Sequence, residues 1–322
     1  MIPVAKALVT AAILWFVAQG TDLSAAGLGV EAISPGWIAL AFGLFIAQVI
    51  MNSWRWCLLA PLDEGKITFN DAFRIYLEGA FFNQVLPTSL GGDIVRIYRV
   101  TKLGNRPGQA INGVLLDRLA GTVGLLILMI AGLVPFYTVV TDPPARLGFT
   151  TVPALAVLGL LLLLVVGSLG ERCRFRFGDS FVRFALLVRR MLVRPSTALP
   201  ALGLAITGHL AMVTGTWALA RSLGIGADWL ACLTIVPGAI LISMVPISVA
   251  GWGVREGAMV AGFALIGIGA EPSLVLSVAV GLMLLAIGLL GGCIWMLNDT
   301  GKLRHPAALV TNRAGGPQTD GI

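Results

Sequence analysis

Six stretches of this chain, near residues 4–20, 36–58, 110–135, 152–169, 199–220 and 274–297, are apolar over a length comparable to a membrane crossing. About 20 such residues in helical form cover a hydrocarbon core near 30 Å thick. An open strand in lipid would leave its backbone N–H and C=O groups without partners, and the alternating pattern of a membrane barrel is absent, so the stretches read as helices. Composition agrees. Of 322 residues, 57% are hydrophobic and 12% charged, against roughly 25% charged in a soluble protein. The 40 glycines and 16 prolines mostly fall in or beside apolar runs, which membrane helices tolerate. The expected fold is all-α: a polytopic membrane helix bundle with about six full spans. Residues 1–297 form one membrane domain, and the polar segment 298–322, with Gly315, Gly316 and Pro317, reads as a disordered tail. Lys6 and the run Ala7 to Val17 resemble a signal peptide, but no small-x-small cleavage site follows directly, so an uncleaved first helix is expected.

The net charge of +6 sits in a few interhelical segments. Arg96, Arg99, Lys102 and Arg106 form one basic stretch without an acid. Arg172, Arg174, Arg176, Arg183, Arg189, Arg190 and Arg194 form a second, against Glu171 and Asp179, and Lys302, Arg304 and Arg313 follow the last span. Basic loops stay on the cytoplasmic side, so these three regions are expected there. Loop 21–35 carries Asp22 and Glu31 with no basic residue, and loops 136–150 and 221–228 are nearly neutral. These are expected on the periplasmic face of an inner-membrane protein. Between residues 171 and 194, Phe175, Phe177, Phe181, Phe184 and Leu187 interleave with arginines. The segment is either an interfacial amphipathic helix or a basic loop that only sets topology. With charge explained by topology, no nucleic-acid partner is implied. The four cysteines, Cys57, Cys173, Cys232 and Cys293, and the histidines His209 and His305 form no metal-ligand spacing.

Two further apolar stretches, 72–103 and 229–270, are interrupted, and the interruptions repeat. Pro87-Thr88-Ser89-Leu90-Gly91-Gly92-Asp93-Ile94-Val95-Arg96 aligns without a gap to Pro246-Ile247-Ser248-Val249-Ala250-Gly251-Trp252-Gly253-Val254-Arg255. The shared pattern is P-x-S-x-[G/A]-G-x-x-V-R. Proline ends the preceding helix, serine can cap the next, and glycine permits a sharp turn. The next helix then presents free N–H groups, with an arginine one turn later. Such a break suits an anionic group such as a lipid phosphate; the plain alternative is two tight turns with snorkelling arginines. Each arm is short for a span, so each pair reads as broken or re-entrant. If one copy enters from the cytoplasm and the other from the periplasm, the repeat is inverted, a transporter design with a midplane site.

Asp117 and Arg118 lie well inside a span, where ions are costly and face a polar interior. They pair either with each other or with charges of the motifs. Glu256 beside Arg255 invites the same reading. Arg55, between Trp54 and Trp56 at a helix end, most simply snorkels in an aromatic belt. His209 is expected to serve as an interhelical hydrogen-bond partner outside the site.

Trp54-Arg55-Trp56, Asn83 with Leu86-Pro87 and Gly92-Asp93, Asp117-Arg118, and Pro246 with Gly251-Trp252-Gly253-Val254-Arg255-Glu256 resemble the signatures of one family. It is the lysylphosphatidylglycerol synthase transmembrane region family, also called the flippase-like domain family. The resemblance runs over roughly residues 5–297 and implies movement of lipids between leaflets, including aminoacylated phosphatidylglycerol or other lipid-linked substrates. Bifunctional members carry a cytosolic aminoacyl-transfer domain after the membrane part. Only residues 298–322 follow the last expected span here, so the resemblance supports the transport half rather than a phosphatidylglycerol lysyltransferase activity.

The reading is a protein that binds and translocates an anionic phospholipid or lipid-linked substrate in a polar cavity between the two repeats. Candidate substrate-binding residues are Ser89, Gly91, Gly92, Asp93, Arg96, Asp117, Arg118, Ser248, Gly251, Gly253, Arg255 and Glu256. Glycines 91, 92 and 251 shape the cavity. Arg96 and Arg255 attract the headgroup, while Asp93, Asp117, Arg118 and Glu256 balance charge or carry gating ion pairs. No nucleophile–base pair, metal cluster or nucleotide loop stands out, so neither catalytic residues nor cofactors are expected. Two other classes remain beside it: a membrane lipid transferase, and a non-transporting partner of a lipid-synthesis enzyme. The loop charges make one prediction. In a cysteine-free background, a single Val310→Cys in intact cells will resist membrane-impermeant thiol reagents until the membrane is opened; labelling from outside would reverse the topology.

Overall fold

A computed structural model describes residues 34–60, 67–86, 90–170, 179–244, 248 and 251–299. Among them the chain forms ten helices and no strand: α1 (Pro35–Leu59), α2 (Phe69–Val85), α3 (Gly91–Lys102), α4 (Pro107–Val139), α5 (Pro143–Gly170), α6 (Asp179–Val193), α7 (Pro195–Ser222), α8 (Trp229–Ser243), α9 (Val254–Leu265) and α10 (Ala270–Asp299). Five of these, α1, α4, α5, α7 and α10, are long and apolar enough to span a membrane. They match five of the six expected spans; the sixth, residues 4–20, and the tail beyond residue 299 lie outside the described residues. The protein is a polytopic helical membrane bundle.

The ends follow from local chemistry. Prolines 35, 107 and 195 occupy the first turns of α1, α4 and α7, where a missing N–H costs nothing. Thr68 caps α2 by accepting from the Asp71 N–H at 3.2 Å, and Asp228 caps α8 by accepting from Ala231 at 2.7 Å. The expected loop 136–150 is largely helical, leaving only residues 140–142 between α4 and α5. Arg146 closes this tight turn by donating to the carbonyls of Val140 and Tyr137 at 2.6 and 2.8 Å. Asp142 accepts from the Ala145 N–H at 2.9 Å. Charged groups thus satisfy a helix C-terminus and the next N-terminus within a few residues.

Both interrupted stretches are helical hairpins. In the first, α2 and α3 run antiparallel, with Gly92 on Asn83 and Arg99 on Glu78 at 2.7 Å each. In the second, α8 and α9 run antiparallel, with Gly251 against Ser243 and Gly262 against Ile235. At 1.5 Å per residue the arms are about 25, 18, 22 and 18 Å long, each short of a full crossing.

Contacts between elements fix which end of the bundle each loop occupies. Helices α1 and α7 are antiparallel: Ser222 donates to the Ser34 carbonyl at 3.1 Å, and Gly208 lies against Asn52. Trp54 near the end of α1 meets Phe69 at the start of α2, with ring centroids 5.8 Å apart. Following the chain from there, the turn after α3, helix α6 and the end of α10 share one end of the bundle. The α4–α5, α7–α8 and α9–α10 turns share the other. The three basic regions fall together at the first end, as far as they are described. The first hairpin opens at that end and the second at the opposite end, which is the inverted arrangement expected from the repeat.

Helix α6 settles part of the reading of 171–194. Its face of Ala185, Val188 and Met191 is buried, in a cluster or close contact with residues of α1, α4, α5 and α7, while Phe181 stays exposed. Residues 171–178 lie outside the described residues. Small residues let backbones approach where lipid supplies no hydrophobic drive. At Gly124 an added Cβ would come within 2.6 Å of Ala205, and at Gly291 it would overlap the Leu77 carbonyl of α2. That second contact clamps the first hairpin to α10. Gly291→Ala will therefore lower stability by about 1–3 kcal/mol, read as a lower melting midpoint in detergent; an unchanged midpoint would refute the close approach.

Candidate functional site

The apolar spans carry polar residues on single helical faces. In α1, Gln48, Asn52 and Arg55 are spaced i, i+4, i+7; in α2, Tyr76, Asn83 and Gln84 share a face; in α4, Asp117, Arg118, Gly121 and Thr122 do. These faces converge on a cavity of about 340 Å³ between the hairpin tips. Gly92, Asp93 and Arg96 of α3, His209 and Met212 of α7, Ser243 at the end of α8, Arg255 of α9, and Leu284 and Ile287 of α10 are also among its lining residues.

An ion network crosses one wall. Asp117 accepts from Arg55 Nε at one oxygen and from Arg96 Nη2 at the other, both at 2.7 Å. Asp93 lies 3.5 Å from Arg96 Nη1 and forms an ion pair with Arg118. The Arg96 guanidinium is also held between the rings of Trp56 and Tyr76, 4.1 and 4.6 Å from their centroids. Asp117, Arg55 and Arg96 are 1, 3 and 5% exposed, so one buried carboxylate ties together three helices. Asp117 and Arg118 thus pair with other charges rather than with each other.

At the second break Arg255 Nη2 meets Glu256 Oε1 at 2.5 Å, and its Cζ lies 4.9 Å from the centroid of the Trp252 ring. Ser277 of α10 lies between them, 3.4 Å from Arg255 Nε and 3.3 Å from Glu256. The other Glu256 oxygen accepts from the Gly253 N–H at 2.5 Å. Both copies therefore fill one helix-start donor from within: Asn83 takes the Gly92 N–H at 2.7 Å and Glu256 takes that of Gly253. In the second copy the expected serine cap is not used. Leu90 and Gly253 hold the N-cap positions, and the Ser248 hydroxyl is buried without a hydrogen-bond partner. Ser89 lies outside the described residues.

The two copies also start their helices at different points. Gly91 begins α3, but the equivalent Ala250 precedes a looped turn in which Gly251 and Gly253 have φ of 80° and 85°. Positive φ is left-handed backbone that glycine alone adopts cheaply. Arg255 is consequently the second residue of α9, not one turn into it.

Of the expected site residues, Gly92, Asp93, Arg96, Asp117, Arg118 and Arg255 line the cavity. Gly91 instead packs against Phe82 and Leu86, where an added Cβ would come within 2.7 Å of the Phe82 carbonyl. Glu256 stands behind Arg255, and Gly251 and Gly253 shape the loop. Sequence reasoning missed Arg55, Gln48, Asn52, Tyr76, Asn83 and His209. Arg55 does not snorkel: it points inward to Asp117. The signal that could have found it is the polar stripe Gln48, Asn52, Arg55.

Charge in the cavity is unbalanced. Four arginines (55, 96, 118, 255) face two aspartates (93, 117); adding Glu256 behind Arg255 gives four cations against three anions, a surplus of one. Arg55 Nη1 and Arg96 Nε are buried donors without a hydrogen-bond partner. A buried guanidinium with unfilled donors is matched by an acceptor-rich anion.

Residues 4–292 match the lysylphosphatidylglycerol synthase TM region family, and the chain belongs to it. A UPF0104 membrane protein of Methanothermobacter thermautotrophicus is 23% identical over 278 residues, covering 77% of this chain and 79% of the relative. A UPF0104 membrane protein of Methanocaldococcus jannaschii is 31% identical over 91 residues, covering 28% of this chain and 27% of the relative. No solved structure matches.

The shared carboxylate generates a test. Asp117→Ala strands two buried guanidinium groups and will cost about 3–5 kcal/mol, measured as loss of the folded, monodisperse protein in detergent. A stability equal to wild type would mean that the arginines are not held by Asp117.

Proposed function

We propose that this member of a lipid-related membrane family binds the anionic headgroup of a phospholipid or lipid-linked substrate in the central cavity and passes it between leaflets. One observation carries the reading: buried arginines with unfilled donors and a one-charge cationic surplus, placed between two broken hairpins inserted from opposite ends. A phosphate offers several acceptor oxygens to such forks. Arg55, Arg96 and Arg255 attract it, and the Asp93–Arg118 pair, the least buried of the network, serves as the gate at the first hairpin. Opposed hairpins supply the geometry for exposing one midplane site to either side. In this reading the basic end, with residues 298–322, faces the cytoplasm of the inner membrane.

The test separates transport from folding. Reconstituted wild type will redistribute fluorescent phosphatidylglycerol across vesicle leaflets. The triple variant Arg55→Gln, Arg96→Gln, Asp117→Asn replaces the ion triad with neutral amides, removing two cations and one anion. Exchanging a whole buried ionic group for neutral side chains is far gentler than breaking it, so this variant will stay folded and lose at least tenfold in rate, the factor for about 1.4 kcal/mol. Wild-type rates in the folded triple variant, or no redistribution by wild type, would overturn the reading.

A further inference from the structure

We infer that His209 selects among lipids, because its Nδ1 accepts a hydrogen bond from a donor on the headgroup, a hydroxyl or an ammonium N–H. The inference rests on the lipid reading above. His209 Nε2 lies 3.0 Å from the Gly121 carbonyl oxygen. A carbonyl only accepts, so Nε2 carries the hydrogen. A second hydrogen on Nδ1 would turn the ring into a cation close to Arg55. The Arg55 guanidinium rests on the same glycine, where an added Cβ would come within 3.2 Å of Nη2. The ring is neutral, and Nδ1 is a bare acceptor. It is buried, has no hydrogen-bond partner, and belongs to a residue that lines the cavity.

The chemistry of the cavity then reads as a complement. Arg55 Nη1 and Arg96 Nε are unfilled donors; His209 Nδ1 is an unfilled acceptor. A phosphodiester fills the first two but has no hydrogen to give. The acceptor needs a donor on the alcohol that esterifies the phosphate. Neighbouring groups extend this neutral polar wall: Asn52 lines it, and the Gln48 amide finds only the Met212 sulfur at 3.3 Å, a weak acceptor. A site built around a hydrogen bond discriminates against the analogue that lacks it, because its own buried group is left unpaired.

Two matched lipid pairs test this with the purified full chain. Phosphatidylglycerol and phosphatidylethanol are both monoanionic, and only the first carries hydroxyls. Phosphatidylethanolamine and phosphatidylcholine are both zwitterionic, and only the first carries N–H. Wild type will bind the donor-bearing member of at least one pair about tenfold more tightly. Preference in the anionic pair assigns a hydroxyl as the donor, and preference in the zwitterionic pair assigns an ammonium. His209→Leu will bring the ratio close to one, with the loss falling on the donor-bearing lipid. His209→Gln, whose amide N–H reaches for Gly121 while its oxygen accepts, will keep part of the preference and separates the effect from misfolding. Equal affinities within both pairs, or a ratio unchanged by His209→Leu, would overturn this inference and leave the lipid reading standing. Binding of none of the four would overturn both.

Discussion

Within a hydrocarbon core every charge and every free backbone group has to be satisfied by the protein itself. Asp117 is the point where this constraint is met most economically. Its two oxygens each accept from a guanidinium, one from α1 and one from α3, at 2.7 Å each, while its own helix runs on through the core. Removing water from three charges is expensive, and mutual pairing recovers that cost only in good geometry. The aromatic clamp of Trp56 and Tyr76 on Arg96 supplies part of that geometry. The first hairpin is thereby anchored to two spans, and the cavity inherits a rigid charged wall.

The breaks obey the same constraint by a different route. Each exposes amide donors at membrane depth, and each fills one with a side chain: Asn83 for Gly92, Glu256 for Gly253. Because Glu256 is consumed in this way and by Arg255, the charges of the second hairpin pair with each other, with Ser277 of α10 bonded to both. The first instead shares its charges with α1 and α4. The repeat is alike in sequence and placement but unequal in electrostatics, and the surplus positive charge comes from that inequality.

The spans were legible because apolarity is a local property that a run of residues displays on its own. The hairpin breaks were legible for a related reason: proline and glycine act on their own backbone. What failed was long-range. Arg55 sits between two tryptophans that suggest a belt, and its partner Asp117 lies 62 positions away. Trp54 does face outward, but Trp56 is buried, so the triplet divides between lipid and core. The sequence reads His209 as an interhelical hydrogen-bond partner. It is one, to Gly121, but the residue also lines the cavity and its second nitrogen is left without a partner, and no spacing reveals that. The delayed start of α9 turns on two glycines adopting left-handed backbone, while Gly91 and Gly92 of the first copy sit in ordinary helix. Residue type alone does not distinguish these uses.

A hairpin that returns to the end it left changes nothing in the parity of the chain. Among the described residues between Ser34 and Leu297, five helices are long and apolar enough to count as crossings, an odd number, which puts these two residues at opposite ends of the bundle. Treating each hairpin as two thin spans would add an even number and give the same result. Orientation in such a molecule is therefore decoupled from its broken hairpins: these elements can tilt, deepen or open without any loop having to change sides.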